Sequence, residues 1–435
     1  MALSTQPYKG ARDFYPEDKR LQKYLFNSLR KTVERFGYEE YDAPILESLD
    51  LYLAKTGEEI VNEQTYTFQD RGGRDVVIRP EMTPTVSRMV AARRQELAYP
   101  LRWYSIPNLW RYERPQRGRL REHWQLNVDI FGIKGDQAEV EIITVANQIL
   151  KDFGAKPDMY EIRLNSRVFM DYVLREYLGL DAVEAQSVAK LIDRMHKLDR
   201  STFIAQADAV ISPAKREAGA VEQLLDVLHA KRFTALPQAV QSHPSVASLQ
   251  AMLEKLQEAG ITNAVFDVTL MRGFDYYTDI VFEIFDTNPE NNRSMMGGGR
   301  YDGLVGLFGV EPVATVGFGL GDVTLANFLE AHHLLAELPP ETEVFVAVAG
   351  EVTNEALLAI TELREMGLTV AVGDYSKKLG DQFKVADKKG IMHVVVIGKQ
   401  ELESGQFTIK NLRTGAEEKH SLQRIVSLVK DHRSR

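Results

Sequence analysis

The chain has 435 residues, a formal net charge of −9, 44% hydrophobic and 26% charged residues. This composition is typical of an ordinary soluble globular protein large enough for two or three domains. The lack of cysteine excludes disulfides, thiolate metal sites and a cysteine nucleophile, and the acidic net charge argues against a general nucleic-acid binder.

The first twenty residues, MALSTQPYKGARDFYPEDKR, contain no apolar core of the kind found in secretory signals. No run of 18 apolar residues occurs elsewhere, so we expect no membrane span and no membrane partner. We therefore expect a cytoplasmic protein.

Apolar residues at helical spacing predict a first helix over residues 18–36, which Gly37 ends. The next segment, YEEYDAPILES, is typical of a short strand that Pro44 interrupts, as at a sheet edge or an interface. VVIRPEMTPTVSRMVAARR (76–94) predicts strand, turn and helix, with Thr83 or Thr85 as the helix cap.

The middle of the chain predicts two strands within residues 101–131, on either side of the loop ERPQRGR. A helix over 135–152 and a helical region over 167–260 follow. Residues 265–285 resemble one continuous strand, and MMGGGRYDGL (295–304) is typical of a glycine-rich turn. VATVGFGLG and a helix to about His333 end this half of the chain.

ELPPETE (337–343) is typical of a linker. Beyond it, VFVAVAG, LTVAVGD and MHVVVIG are short, nearly continuous apolar segments that alternate with helical patterns over 353–366 and 378–390. This alternation predicts a βαβαβ domain with a buried parallel sheet.

The strand after ERPQRGR places Trp124, Leu126, Val128 and Ile130 on one face, and its polar residues on the other. The polar residues are Arg121, His123, Gln125, Asn127 and Asp129. This polar face is either solvated or the floor of a cleft. The arginine-rich loop before it favours the cleft, because clustered guanidinium groups repel one another unless they bind an anion such as phosphate.

Two other segments are ambiguous from their residues alone. IRPEMTP places Arg79, Glu81 and Thr83 at alternate positions, which suits either an ammonium-binding site or an ordinary helix start. RGFDYYTD (272–279) contains good strand residues, and strand alternation would put Tyr276 in the core and Tyr277 in a cleft. No metal-binding motif, dinucleotide motif or Walker loop occurs.

RPEMTP, RYERPQRGRLREHWQLNVDIFG, LMRGFDYYTDIVFE and GGGRYDGL, in this order, together resemble the histidyl-tRNA synthetase family of class II synthetases. The likeness covers nearly the whole chain and includes the opening KGARDFYP. It implies an α+β fold, in which an antiparallel sheet flanked by helices carries a helical insertion and a C-terminal α/β anticodon-binding-type domain.

The resemblance implies five domain segments. The catalytic core would occupy 1–166 and 261–335, the helical insertion 167–260, the linker 336–342 and the anticodon-binding domain 343–435. It also implies a homodimer built partly on the Pro44 segment, and an enzyme that activates histidine with ATP and transfers it to tRNA(His). Mg²⁺ would accompany ATP, and no prosthetic group is expected.

The resemblance assigns roles to individual residues. Glu81, Thr83 and Gln125 would hold the amino and carboxylate ends of histidine, and Asp129 and Tyr277 would contact the imidazole; Arg272 and Tyr276 also belong to this histidine-binding set. Arg111 and Arg272 would flank the α-phosphate as the catalytic pair. Glu113 and Arg119 would join Arg111 in binding ATP, and Arg114, Gln116 and Arg117 would meet the tRNA acceptor end.

The chain departs from the family pattern most clearly near residue 324. Family members usually end their core with a glycine-rich strand followed by Glu-Arg-Leu, whose arginine packs on ATP. Here the segment is VGFGLGDVTLANFL, and Thr324 takes the arginine's place. This departure keeps an alternative open, namely a histidine-binding paralogue that charges no tRNA, such as the regulatory subunit of ATP phosphoribosyltransferase.

Overall fold

The structure is a computed structural model that describes residues 3–53, 64–271, 276–291, 293–350 and 353–433. The chain forms two compact units. One comprises Met1–Phe14 and Gln22–Leu335, and the other comprises Tyr15–Leu21 and Ala336–Arg435. The division of the first unit into a core and a helical insertion stays a prediction.

The strands up to residue 335 are β1 (Glu39–Glu40), β2 (Leu46–Ser48), β3 (Tyr66–Gln69), β4 (Asp75–Ile78), β5 (Leu101–Ser105), β6 (Asn108–Trp110), β7 (Glu122–Phe131), β8 (Tyr160–Ser166), β9 (Ala264–Phe266), β10 (Ile280–Asp286), β11 (Ser294–Arg300) and β12 (Thr315–Gly321).

The helices that begin before residue 335 are α1 (Pro16–Arg35), α2 (Leu49–Leu53), α3 (Thr83–Ala92), α4 (Gln137–Asp152), α5 (Arg167–Asp171), α6 (Ala182–Asp193), α7 (Arg200–Val210), α8 (Pro213–Glu217), α9 (Ala220–Leu228), α10 (Gln238–Gln241), α11 (Pro244–Glu258) and α12 (Asp322–Ala331). A π-helical segment extends α5, and 3₁₀ turns complete the set at Met195–Lys197, Phe233–Ala235 and Val305–Phe308.

A nine-stranded sheet dominates the first unit, in the order β1-β5-β7-β12-β11-β10-β8-β9, with β6 also paired to β7. Its pairs are antiparallel except β1 with β5 and β8 with β9. The sheet is therefore the predicted antiparallel one. Its order places β7 beside β12, although these two strands are far apart in sequence, and it places β11 between β12 and β10.

The central strand β7 has the predicted two faces. Leu126, Val128 and Ile130 are at most 1% exposed, and the helices α4 and α12 pack against β7 and β12. Because side chains alternate along a strand, Gln125, Asn127 and Asp129 share the opposite face. The apolar face of β7 thus anchors the strand in the core and aims its polar residues together.

Three predictions for the sheet need correction. Residues 101–131 hold three strands, because the short β6 precedes the hairpin. The strand region expected over 265–285 is two strands, β9 and β10, and the described residues between them, 267–271 and 276–279, belong to neither. The expected glycine turn is the strand β11, whose glycines pair with the neighbouring strands β10 and β12. Local glycine content therefore misled the prediction, since sheet pairing decided the conformation.

A small antiparallel sheet, in the order β2-β4-β3, leads into α3. Met82 is the residue that caps α3, and its side chain makes no capping hydrogen bond. The Thr85 hydroxyl instead lies 3.0 Å from the Tyr52 hydroxyl in the core. The predicted threonine cap is therefore wrong, because tertiary packing claims the Thr85 hydroxyl.

The second unit contains the strands β13 (Val344–Ala349), β14 (Val370–Val372), β15 (His393–Gly398), β16 (Phe407–Asn411) and β17 (Glu417–His420) and the helices α13 (Asn354–Glu365), α14 (Leu379–Lys388), α15 (Lys399–Ser404) and α16 (Leu422–Arg433). These first three strands pair in parallel, as predicted, and their order is β14-β13-β15. Two antiparallel strands, β16 and β17, extend this sheet beyond the prediction. No helix among the described residues is long and apolar enough to cross a membrane.

Candidate active site

A pocket of about 110 Å³ lies over the polar face of β7. It brings together seven of the residues predicted for the site. They are Glu81, Thr83, Arg111, Gln125, Asp129, Tyr276 and Tyr277. The remaining lining comes from Asn127, Tyr301, Phe318 and glycines of β11 and β12. Residues from four separate stretches of sequence therefore converge on one cavity.

One end of the pocket is built around a buried acid. Asp129 is 4% exposed and accepts a short hydrogen bond from the hydroxyl of Tyr301. Burial raises the pKa of Asp129 to about 7, and the Tyr301 hydrogen bond opposes this rise. Asp129 can therefore gain or lose a proton near neutral pH, which suits a partner with its own titratable ring. The prediction did not include Tyr301, although it follows directly after β11 in GGGRYDGL.

The strand beside β7 leaves room for these polar side chains. A Cβ atom at Gly317 would lie 2.0 Å from Oδ1 of Asp129, and one at Gly319 would lie 2.3 Å from Nε2 of Gln125. Neither approach is possible for two non-bonded atoms. The alternating glycines of GFGLG in β12 therefore let Asp129 and Gln125 lie flat across the sheet, which explains their spacing.

The other acid of the pocket, Glu81, is 3% exposed. Its carboxylate accepts a hydrogen bond of 3.2 Å from the Tyr276 hydroxyl, and its main-chain carbonyl accepts one of 3.1 Å from Tyr52. The expectation that Tyr276 faces away from the cleft is wrong. Tyr276 and Tyr277 precede β10, so strand alternation does not separate them, and both rings line the pocket.

Amide groups occupy the middle of the pocket floor. The Gln125 amide donates to Asn127 Oδ1 at 2.7 Å, and the Asn127 amide donates to the Gln125 carbonyl at 3.0 Å. This mutual arrangement fixes both side chains before any ligand binds. Nearby, Thr83 begins α3, so its hydroxyl reaches the pocket from a rigid helix.

The arginine-rich loop is a tight hairpin that joins the pocket at Arg111. The Arg111 amide donates to the Arg121 carbonyl at 2.8 Å, and the Arg111 Nε donates to the Pro80 carbonyl at 2.9 Å. Arg121 packs its guanidinium over the Tyr112 ring, 3.9 Å from the ring centroid. Both ends of the hairpin are thus fixed. Among the described residues, no acidic side chain pairs with the Arg111 guanidinium.

The predicted ATP residues Glu113 and Arg119 pair with each other, with 2.8 Å between Arg119 Nε and Glu113 Oε2. The tip of the hairpin is closed by two main-chain hydrogen bonds of 2.9 Å between Gln116 and Arg119. Arg117 donates to Asn291 Oδ1 at 3.0 Å. The three residues predicted to meet tRNA, Arg114, Gln116 and Arg117, are exposed.

His123 lies on β7 beside this basic region. Burial, with the charges of Arg111, Arg12 and Arg119, lowers the pKa of His123 to about 3, so its ring is neutral at physiological pH. Arg12 itself is held by Asp322, at 2.7 Å from its Oδ2. The prediction placed His123 on the polar face without a role. Its neutral ring offers an uncharged flat surface among cations, which suits an aromatic base.

The predicted catalytic residue Arg272 lies outside the described residues, so its role stays a prediction. Within the ranges that the structure describes, no group of three His, Asp or Glu side chains converges as metal ligands. The described site combines a buried, acidic, hydrogen-bonding pocket with a guanidinium-rich hairpin, which suits an amino acid at one end and a polyphosphate at the other.

Comparison with known proteins matches both units. A family model described as histidyl-tRNA synthetase matches residues 10–322, and one described as anticodon binding domain matches residues 343–432. A histidine–tRNA ligase from Leptospira biflexa is 42% identical over 435 residues, covering 100% of this chain and 99% of the relative.

Solved structures show the same fold. A histidyl-tRNA synthetase from Nostoc sp. PCC 7120 has a TM-score of 0.80 at 22% identity and covers 99% of this chain and 100% of that chain. A Bacillus halodurans C protein described as an ATP phosphoribosyltransferase regulatory subunit/histidyl-tRNA synthetase has a TM-score of 0.73 at 22% identity, covering 92% and 99%. At these identities the likeness concerns the fold alone.

Proposed function

The chain belongs to the histidyl-tRNA synthetase family, and from that premise we propose that it activates histidine with ATP and transfers it to tRNA(His). The observation that carries this proposal is the pocket with two separate buried acids, Glu81 and Asp129, beside a hairpin of arginines. Histidine offers an ammonium group and an imidazole, one for each acid, and ATP offers phosphates for the arginines.

The Asp129 end accounts for the choice of amino acid. A carboxylate can accept a hydrogen bond from an imidazole N–H, and the Tyr277 phenol can engage the other ring nitrogen. An amino acid without these nitrogens would leave the buried acid unpaired. Sites built on such hydrogen bonds can reject analogues by roughly 10⁴–10⁵. Glu81, Thr83 and Gln125 would hold the ammonium and carboxylate ends.

The activation step is a displacement at phosphorus. An oxygen of the histidine carboxylate attacks the α-phosphorus of ATP, a C–O–P link forms, and the bond to the pyrophosphate oxygen breaks. Negative charge builds on the α-phosphate oxygens during this step. We assign Arg111 to these oxygens, because a preplaced guanidinium stabilises developing charge without reorganisation. Arg272 would face them from the other side, and ATP would enter as its Mg²⁺ complex.

The transfer step would use the exposed tip of the hairpin. A ribose hydroxyl at the tRNA 3′ end attacks the carbonyl of histidyl-adenylate, and AMP leaves with the former carboxylate oxygen. We assign Arg114, Gln116 and Arg117, which are exposed at this tip, to the acceptor end. The second unit would read the anticodon, and its exposed lysines around α14 would contact the tRNA backbone. Lys377, Lys378, Lys384, Lys388 and Lys389 are these lysines.

We further propose that the enzyme is a homodimer that works in the cytoplasm, where tRNA is charged for protein synthesis. The support for a dimer comes from the Pro44 segment. Ile45 and Leu46 are 46% and 45% exposed there, next to the small sheet. A second copy that packs on this segment would cover both apolar side chains.

The alternative, a histidine-binding regulatory paralogue, has less support. The full-length relative is a ligase at 42% identity, and the second unit matches an anticodon-binding model. A regulatory protein that binds histidine alone would have no use for the arginine hairpin or for such a domain.

Two assays with the purified full-length protein test the proposal. The first measures histidine-dependent exchange of labelled pyrophosphate into ATP, and the second measures charging of a tRNA(His) transcript. We expect both activities, with histidine alone among the amino acids supporting exchange. Histidine binding without exchange or charging would favour the regulatory alternative and would overturn the proposal.

A further inference from the structure

The family's ATP-packing arginine is missing at Thr324, and the structure explains why this position cannot serve. The Thr324 hydroxyl lies 3.1 Å from the Gly321 carbonyl and 3.1 Å from the Met295 carbonyl. A hydroxyl has a single hydrogen, and both partners here are main-chain acceptors. The hydroxyl is thus committed to the junction of β11 and α12, and it is not available for a nucleotide.

An arginine from an earlier part of the chain lies near this threonine. Arg293 is the residue before β11, about thirty positions earlier in the chain. A Cβ atom placed on Gly118, at the hairpin tip, would lie 3.5 Å from Arg293 Cδ and 3.5 Å from Thr324 Cγ2. Arg293 and Thr324 therefore face the same point of the hairpin, next to Arg119, which is one of the residues predicted to bind ATP.

The loop that carries Arg293 is held in place on three sides through Asn291. The Asn291 amide donates to Asp286 Oδ2 at 2.7 Å and to the Asn327 carbonyl of α12 at 3.3 Å, and its Oδ1 accepts from Arg117 at 3.0 Å. Strand β10, helix α12 and the hairpin tip thus meet at one residue. Asn291, two positions before Arg293, is therefore tied directly to the hairpin.

Arg293 has no counter-charge of its own in the part of the chain that is described. It forms no ion pair or hydrogen bond there, whereas Arg119 pairs with Glu113, Arg12 with Asp322 and Arg117 with Asn291. Its side chain is half-buried. Burial and the nearby charge of Arg119 lower the pKa of Arg293, while Glu113 opposes them. A half-buried guanidinium beside a second one calls for an anionic or aromatic ligand.

We infer that Arg293 is a nucleotide-binding residue that replaces the arginine missing at position 324, packing its guanidinium on the adenine of ATP from the side of α12. The inference rests on the proposed function. Its physical basis is that a planar guanidinium can stack on an aromatic base and still direct its charge toward the phosphates. The arginine would thus come from the start of β11 instead of α12, and it would still lie at the hairpin.

The test measures pyrophosphate exchange by Arg293→Ala in the full-length protein. We expect the KM for ATP to rise roughly 10-fold or more, while the affinity for histidine, measured by calorimetry without ATP, stays within twofold. The KM for ATP of Arg293→Lys should lie between those of the wild type and Arg293→Ala, since lysine keeps the charge and loses the planar stacking group. Arg93→Ala, on the exposed end of α3 where Arg93 pairs with Glu96, serves as the matched surface control and should behave like the wild type.

A rescue experiment separates nucleotide binding from a merely structural role. In the double variant Arg293→Ala with Thr324→Arg, the arginine returns to the family's position, and the shortened side chain at position 293 leaves space for it. We expect the KM for ATP of the double variant to be no more than half that of Arg293→Ala. Thr324→Arg alone should give no gain, because Arg293 already fills that space.

Some outcomes would overturn the inference and leave the proposed function intact. An unchanged KM for ATP in Arg293→Ala would do so, and so would equal losses of ATP and histidine binding together with a lowered melting temperature and no rescue. Failure of the proposed function would instead appear in the wild type, as an absence of exchange.

Discussion

The two ends of the cleft carry opposite charges: one contains buried acids, and the other contains guanidinium groups. At the Asp129 end, the polar groups are buried, few and mutually hydrogen-bonded, and the acid is held so that it titrates near pH 7. At the hairpin end, many cations gather, and Arg111 and Arg293 have no acidic partner among the described residues. Under the proposed function, the contrast means that selection of the amino acid would depend on buried hydrogen bonds to Asp129, whereas activation would depend on unpaired positive charge.

This division predicts that a change at one end should spare the other. The largest effect is expected for Arg111→Ala. Removing one preplaced donor to a developing oxyanion lowers the rate roughly 10²–10³-fold, so we expect a loss of that order in the exchange turnover number. Histidine affinity without ATP should fall less than threefold. Arg111→Lys should remain strongly impaired, because an ammonium group cannot bind phosphate bidentately.

The measurements are exchange kinetics and calorimetry on the same preparations. An Arg111→Ala protein that loses histidine affinity and turnover to the same extent would show that the two ends are not separate.

At the other end, Asp129→Asn should raise the KM for histidine roughly 10- to 100-fold and leave the KM for ATP within threefold. The wild-type enzyme should bind histidine more tightly as the pH rises through about 7, because Asp129 then becomes a carboxylate and a stronger acceptor. Asp129→Asn should abolish this pH dependence, and Asp129→Glu should keep it.

The same substitution has a calculable effect on stability. The folded pKa of Asp129, about 7, exceeds the unfolded value of about 3.9. The folded state therefore holds this proton more tightly, so the stability it contributes is present below about pH 4 and is lost as the pH rises through 7. At pH 8 we expect Asp129→Asn to melt at a higher temperature than the wild type, by calorimetry. A lower melting temperature would argue that Asp129 is not a strained acid.

The smallest effect is expected in the second unit, which extends the comparison to tRNA. Lys388 and Lys389 are exposed at the end of α14 and form no ion pair within the described ranges. The double variant Lys388→Glu with Lys389→Glu should raise the KM for tRNA(His) about 10-fold, more at low salt than at high salt. Pyrophosphate exchange should not change.

Lys399→Glu, on α15 of the same unit, provides a charge reversal away from α14, with half the change in net charge of the double variant. If it weakens charging as much as the double variant, the effect reflects net charge and not a contact surface on α14.

The sequence alone determined the features that depend on neighbouring residues. Apolar periodicity predicted the first helix and the three parallel strands of the second unit, since burial on both faces requires continuous apolar runs. Alternation along β7 identified Gln125 and Asp129 as partners on one face. The run of arginines between Arg111 and Arg121 indicated a site for an anion, because a bound anion relieves the repulsion among clustered guanidinium groups.

Only the tertiary structure decided the features that depend on strand order. The sequence of MMGGGR suggests a turn, but pairing with β10 and β12 makes it a strand, and the glycines of β12 become the space in which Asp129 lies. Tyr301 reaches Asp129 across 172 positions of sequence. Arg293 meets Thr324 because β11 runs beside β12 and the loop before it is fixed to α12. Such contacts carry no local sequence signal, since a sheet joins residues through pairing that chain neighbours do not specify.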